Sequence, residues 1–133
     1  MSTTTAHAPR LAISPATVRL LLKVDAAACG LLGLVAVVAA GTLNGPLDAP
    51  TPLLVVGGLV LLVYAVEAAF VARRPTRGWL LALAGVNGAF AVGCVIVAVT
   101  ASLSGAGVVV ALGLAGVSVV MADLLLLGAR SAR

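Results

Sequence analysis

The stretch VRLLLKVDAAACGLLGLVAVVAA, Val18 to Ala40, decides the fold. It opens on Arg19 and Lys23, carries Asp25 just inside, and then runs apolar to its end. A helix needs about 20 predominantly apolar residues to cross about 30 Å of hydrocarbon. Three further stretches meet that requirement, about Leu53 to Val71, Trp79 to Ala101 and Val108 to Leu127. They use nearly the whole 133-residue chain and leave no room for a soluble domain. With 62% hydrophobic and 9% charged residues, and a mean hydropathy of +1.26, the composition is far from the roughly 25% charged residues of a soluble domain. The expected fold is an all-α membrane protein, a four-transmembrane-helix antiparallel bundle. Its helices are expected over about residues 15–40, 52–73, 77–101 and 107–129, in a single membrane domain over 14–133.

The basic residues set the expected orientation, because short loops rich in Lys and Arg stay in the cytoplasm. All eight fall on one side: Arg10, Arg19 and Lys23 before or at the opening of helix 1, Arg73, Arg74 and Arg77 between helices 2 and 3, Arg130 and Arg133 after helix 4. The opposite loops, Gly41 to Thr51 and Ser102 to Gly107, hold none. Both chain ends are therefore expected in the cytoplasm. The net charge of +4 reads as attraction to anionic lipid headgroups at the cytoplasmic face. No nucleic-acid partner is expected, since that would call for aromatic platforms or a basic face.

Met1 to Ile13 is polar and Ser/Thr-rich, and is expected to be a disordered cytoplasmic tail; lone His7 within it has no partner nearby. Ala39-Ala40-Gly41 imitates a signal-peptide cleavage site, but the apolar region before it is too long, carries Asp25 and follows a long tail. Ser14-Pro15 and Thr51-Pro52 each place a capping hydroxyl before a proline at the first helical position. Gly41 to Thr51 is dense in turn formers, and Arg73-Arg-Pro-Thr-Arg-Gly78 is a tight basic turn. Trp79 suits an interfacial anchor. Cys29 and Cys94 lie about 15 and about 25 Å from their basic flanks. These depths differ too much for a disulfide, so both are read as small packing residues.

In helix 3, Gly85, Ala89 and Gly93 form one smooth stripe that lets another backbone approach closely, within the chain or in a homodimer. The halves also align, Val24-Asp25-Ala26 with Val86-Asn87-Gly88 and Val66-Glu67 with Ala122-Asp123. This suggests a two-hairpin internal repeat about an axis along the membrane normal.

Ionisable residues inside a span cost about 2.5 to 3.5 kcal/mol at its centre and are functional candidates by default. Asp25 is six residues beyond Arg19, Glu67 six before Arg73, Asp123 seven before Arg130, and Asn87 eight beyond Trp79. At 1.5 Å per residue all four lie roughly 9 to 12 Å from the inner boundary. If each faces inward to avoid lipid, they line one cytoplasm-facing pocket below an outer half that is almost wholly Val, Leu, Ala and Gly. Tyr64, three residues from Glu67, and Cys29, four from Asp25, share a face with those carboxylates. Lys23, two residues from Asp25, points elsewhere and is a candidate counterion for a carboxylate on an adjacent helix. Carboxylates crowded in an apolar pocket cannot all stay ionised, so at least one is expected to hold a proton near pH 7.

Such groups serve acid/base chemistry and proton-coupled transport alike. The expected function is a membrane-embedded enzyme acting on a lipophilic small molecule by cyclisation, isomerisation or hydration. Asp25, Glu67 and Asp123 would be catalytic, and Asn87, Tyr64 and Cys29 would bind substrate. No cofactor is expected, for the chain has no cofactor fingerprint. No metal is expected either without an intramembrane His, although Mg²⁺ or Ca²⁺ on oxygen ligands stays formally open. The alternatives are a small proton-coupled transporter of lipophilic or cationic solutes, and an accessory subunit of a larger membrane partner. In the plainest alternative the polar residues only bond across helices and fix the bundle.

The opening Arg19-Leu-Leu-Leu-Lys-Val-Asp25, with Gly30 and Gly33 after it, resembles a diffuse group of small, Ala/Val/Leu-rich four-helix membrane proteins common in actinobacteria. That resemblance implies the topology and a bacterial cytoplasmic membrane, and implies no activity. In size and helix count the chain is also similar to the small multidrug resistance family, in which a membrane-embedded Glu of helix 1 couples drug and proton. Here the helix 1 carboxylate is Asp25, in Lys23-Val-Asp-Ala-Ala-Ala-Cys-Gly30, without that family's aromatic residues around it. The similarity is architectural, and no binding residues are carried over.

Overall fold

The computed structural model describes residues 13–132. The tail expected to be disordered lies outside the described residues apart from Ile13, which packs against the core. The described chain is all helical: α1 (Pro15–Val38), α2 (Ala40–Leu47), α3 (Thr51–Val71), α4 (Arg77–Thr100) and α5 (Gly105–Ser131). Helices α1, α3, α4 and α5 are long and apolar enough to cross a membrane, which marks this as a membrane protein. Their outer faces carry Leu31, Val38, Val66, Phe70, Val99 and Val109, each more than three-fifths exposed. So much outward apolar surface calls for lipid rather than water around it.

Local chemistry starts the helices. The Ser14 hydroxyl accepts from the Thr17 N–H at 3.2 Å, and Pro15 opens α1. Thr51 departs from its expected capping role: α3 begins at Thr51 itself, behind Pro50, and the Thr51 hydroxyl accepts from Asn44 Nδ2 at 3.1 Å. Asn44 belongs to α2, a short helix where the density of turn formers predicts a loop. Pro46 sits in its last turn, and Asp48 ends it in the left-handed region at φ 49°, which Asp tolerates better than most residues.

Packing divides the long helices into two close pairs, α1 with α3 and α4 with α5. Gly33 and Gly58 face each other so closely that a Cβ on either would stand 2.7 Å from the other's carbonyl oxygen. Only glycine allows that approach. By contrast, a Cβ on Gly85 or Gly93 would meet nothing within 4 Å, so the expected helix 3 stripe is not where backbones meet inside the chain.

The two pairs touch each other sparingly. At one end the gap between them is filled by Leu22, Leu80 and Leu125, all fully buried, with Val18, Ala68, Val71 and Ala129 around them. Val18 rests on Gly128 there. Arg19, Arg73, Arg74, Arg77 and Arg130 lie at or beside this end, called the basic end below. At the opposite end α2 lies across the gap. The Ser104 N–H donates to the Leu47 carbonyl at 3.0 Å, and the Ser104 hydroxyl donates to the Pro46 carbonyl at 2.8 Å. Gly107 lies so near the Leu47 carbonyl that no side chain fits between them.

Candidate functional site

Three buried polar side chains meet between the pairs. Asp25 on α1 is 9% exposed, Tyr64 on α3 7% and Asn87 on α4 6%. Each lies on the buried stripe of its helix, with Leu22 and Ala26 beside Asp25, Leu61 and Ala68 beside Tyr64, and Leu83 and Ala91 beside Asn87. Asn87 Nδ2 donates to Tyr64 Oη at 2.6 Å and to the Leu83 carbonyl at 3.1 Å. Tyr64 Oη in turn donates to Asp25 Oδ2 at 2.7 Å, and the Cys29 thiol points at Asp25 Oδ1 from 3.6 Å. The hydrogen bonds thus run in one direction, from the α4–α5 pair to the α1–α3 pair, and end on a carboxylate.

Glu67 and Asp123, expected in the same pocket, face outward. Residues two apart on a helix are turned by about 200°. Asp123 is two residues from both Met121 and Leu125, which are buried, so its carboxylate points away from the bundle. Glu67 shares its face with exposed Val63 and Phe70. Lys23 is exposed as well and lies apart from the buried carboxylate, so it is no counterion inside the site. Each span is strongly apolar, so polar residues alone do not mark its inward face, on which the Gly33–Gly58 approach and the buried leucines also lie. The polar residue that α5 does turn inward is Ser118, 8% exposed. Its signal was its spacing, three and seven residues before Met121 and Leu125 on the same face.

A cavity of about 610 Å³ lies between the pairs, on the side of the polar chain away from the basic end. All four long helices wall it, and Leu43 and Leu47 of α2 roof it. Leu61 and Phe90 form part of its floor, three residues from Tyr64 and Asn87 respectively, so the polar chain lies about one helical turn, roughly 5 Å, below. Leu32, Val60 and Val110 line the cavity and are about half exposed, which opens its flanks to the surrounding bilayer. Cys94 also faces it as a free thiol.

This arrangement reverses the expected one, a pocket facing the basic side beneath a closed outer half. Leucines fill the basic half, whereas Ala36, Gly57, Gly93 and Ala111 leave the other half hollow. A smaller hollow of about 290 Å³ at the basic end, among Pro15, Val18, Pro75 and Gly128, is separated from Asp25 by Leu22 and Leu125.

Chemically, the site offers one carboxyl group, held by a phenol that a carboxamide in turn bonds, under an apolar chamber. Chambers of roughly 300–1,000 Å³ with a few placed polar groups are the usual form of small-molecule sites. Among the described residues no three His, Cys, Asp or Glu side chains gather as metal ligands. No family model, curated protein or solved structure matches the chain.

Proposed function

We propose that the chain is a small proton-coupled transporter of a lipophilic solute in the bacterial cytoplasmic membrane, working as an antiparallel bundle with both termini in the cytoplasm. The observation that carries this reading is the apolar cavity between two loosely joined helix pairs, closed toward the basic end by Leu22, Leu80 and Leu125, with Asp25 at the boundary. A solute entering from the bilayer meets apolar walls, and its polar or cationic end meets Asp25. When Asp25 takes a proton, one of its oxygens becomes a donor. It then competes with the Cys29 thiol and weakens the charge-assisted bond from Tyr64, the link that runs through Asn87 to the other pair. Loosening that link favours separation of the leucines and access from the basic side. Rocking of two units about a fixed central site is a common transport mechanism. The shared burial of Asp25 and Asn87, and the shared exposure of Glu67 and Asp123, support treating the pairs as related hairpins.

The test is uptake of a lipophilic cationic dye into protein-bearing vesicles under an imposed pH gradient. Wild type and Glu67→Gln should accumulate dye, and Asp25→Asn should not. Equal uptake by Asp25→Asn and wild type would sink the proposal.

One observation favours a second reading, the enzyme. Tyr64 Oη and Asp25 Oδ2, 2.7 Å apart, form an acid/base pair one turn below a chamber that suits a lipophile, with Asp25 as base and Tyr64 as acid. Glu67 and Asp123 have no catalytic part in it. Conversion of a co-purified lipophile by the wild type, lost in Tyr64→Phe, would replace transport with catalysis.

A further inference from the structure

We propose that two copies of this chain associate side by side in the membrane through Lys23 of one copy and Asp123 of the other. The proposal is independent of the transport reading. Val18 of α1 rests on Gly128 of α5, which fixes the register of these neighbouring helices. Lys23 lies five residues beyond Val18 and Asp123 five residues before Gly128, so both stand about 7.5 Å from that contact, toward the cavity. They occupy one depth. Both are exposed and turned outward, and among the described residues neither stands within 4.0 Å of an opposite charge. They cannot meet within the chain, since each points away from the bundle.

Asp123 is the residue that demands a partner. Exposed Val119, Val120 and Leu126 surround it on α5, and Arg130 lies seven residues, or about 10 Å, further toward the basic end. Its side chain is too short to reach headgroups over that distance. Glu67 lies six residues from Arg73, about 9 Å, and its longer side chain can bend further toward the interface. A charge held in lipid is paired with another wherever one is within reach. Among the described residues, Lys23 is the cation at Asp123's depth on an outward face. Copies inserted with the same orientation bring equal depths together, so a second copy always presents Lys23 at the level where Asp123 needs it.

The experiment is energy transfer between donor-tagged and acceptor-tagged full-length copies in vesicles, measured against the protein-to-lipid ratio. Wild type should associate. Lys23→Asp, Asp123→Lys and the milder Asp123→Asn should each weaken association on the order of tenfold, with helical content by circular dichroism unchanged. The double variant Lys23→Asp/Asp123→Lys restores the charge pair and should recover most of the transfer, and Glu67→Gln should leave it unchanged. Wild type that does not associate would overturn the proposal. So would a double variant no better than the singles, or transfer that survives Asp123→Asn and is lost in Gly85→Leu.

Discussion

Replacing Tyr64 with Phe removes a single oxygen and keeps the ring that fills the space between the helix pairs. Two hydrogen bonds end on that oxygen, one donated to Asp25 at 2.7 Å and one accepted from Asn87 at 2.6 Å. Asn87 then keeps only the Leu83 carbonyl, and Asp25 only the Cys29 thiol at 3.6 Å. Interhelical hydrogen bonds in membrane proteins average about 0.6 kcal/mol, because the unfolded chain in the membrane also finds partners. Two such bonds come to about 1.2 kcal/mol, and a buried carboxyl group left short of donors raises the cost toward about 3 kcal/mol. Cys29→Ala, which loses one weak thiol contact, should cost less than about 0.5 kcal/mol. Equilibrium unfolding in mixed micelles, titrated with a denaturing detergent, measures both. Because the Tyr64–Asn87 bond joins the two pairs, a cycle of Tyr64→Phe, Asn87→Leu and the double variant should show coupling of at least about 0.5 kcal/mol. Tyr64→Phe within about 0.3 kcal/mol of wild type, with no coupling to Asn87, would refute the hydrogen-bonded link.

Gly58→Ala places a methyl group 2.7 Å from the Gly33 carbonyl oxygen and should cost about 1–3 kcal/mol by the same titration, whereas Gly85→Ala, which meets nothing, should stay within about 0.5 kcal/mol. Leu125→Ala removes part of the leucine barrier below Asp25; stability should fall by about 2 kcal/mol or more, and vesicles bearing the variant should leak the dye without a pH gradient. Ser104→Ala loses both the bond to the Pro46 carbonyl at 2.8 Å and the cap on the Gly107 N–H at 3.1 Å. It should cost about 1 kcal/mol and speed hydrogen exchange over residues 40–47.

Much of the fold is legible in the sequence because spanning a bilayer imposes a length, and four apolar runs of that length leave few alternatives. The Ser14-Pro15 start of α1 follows from elementary capping chemistry. Helix α2 was hidden because Gly41, Gly45 and Pro46 are turn formers in isolation, and their helix is held by contacts with Ser104 and Thr51 from distant parts of the chain. Counting from the basic flanks brings Asp25 and Asn87 near one level, where Tyr64 joins them, but leaves Glu67 nearly a turn closer to the basic end than Tyr64. Rotation about the helix axis is not legible. In a soluble helix the polar stripe reveals the outward face, but here both faces are apolar, so Asp25 and Asn87 turn inward while Glu67 and Asp123 turn outward with little local signal. The hollow half was hidden for a related reason. Small residues such as Gly57, Gly93 and Ala111 bring backbones together in one context and leave space in another. The Gly33–Gly58 approach and the cavity are the two outcomes of the same composition.

Whether a lipophilic solute lies in the cavity above Asp25 is read from equilibrium binding of the lipophilic cationic dye to the purified protein, compared with Gly57→Leu and Asp25→Asn. Gly57 lines the cavity and has open space where a side chain would go, so Leu there fills the chamber while leaving the helix packing intact. Both variants should bind at least about tenfold more weakly than wild type, a loss of about 1.4 kcal/mol. Wild-type affinity in both would contradict a solute in the cavity.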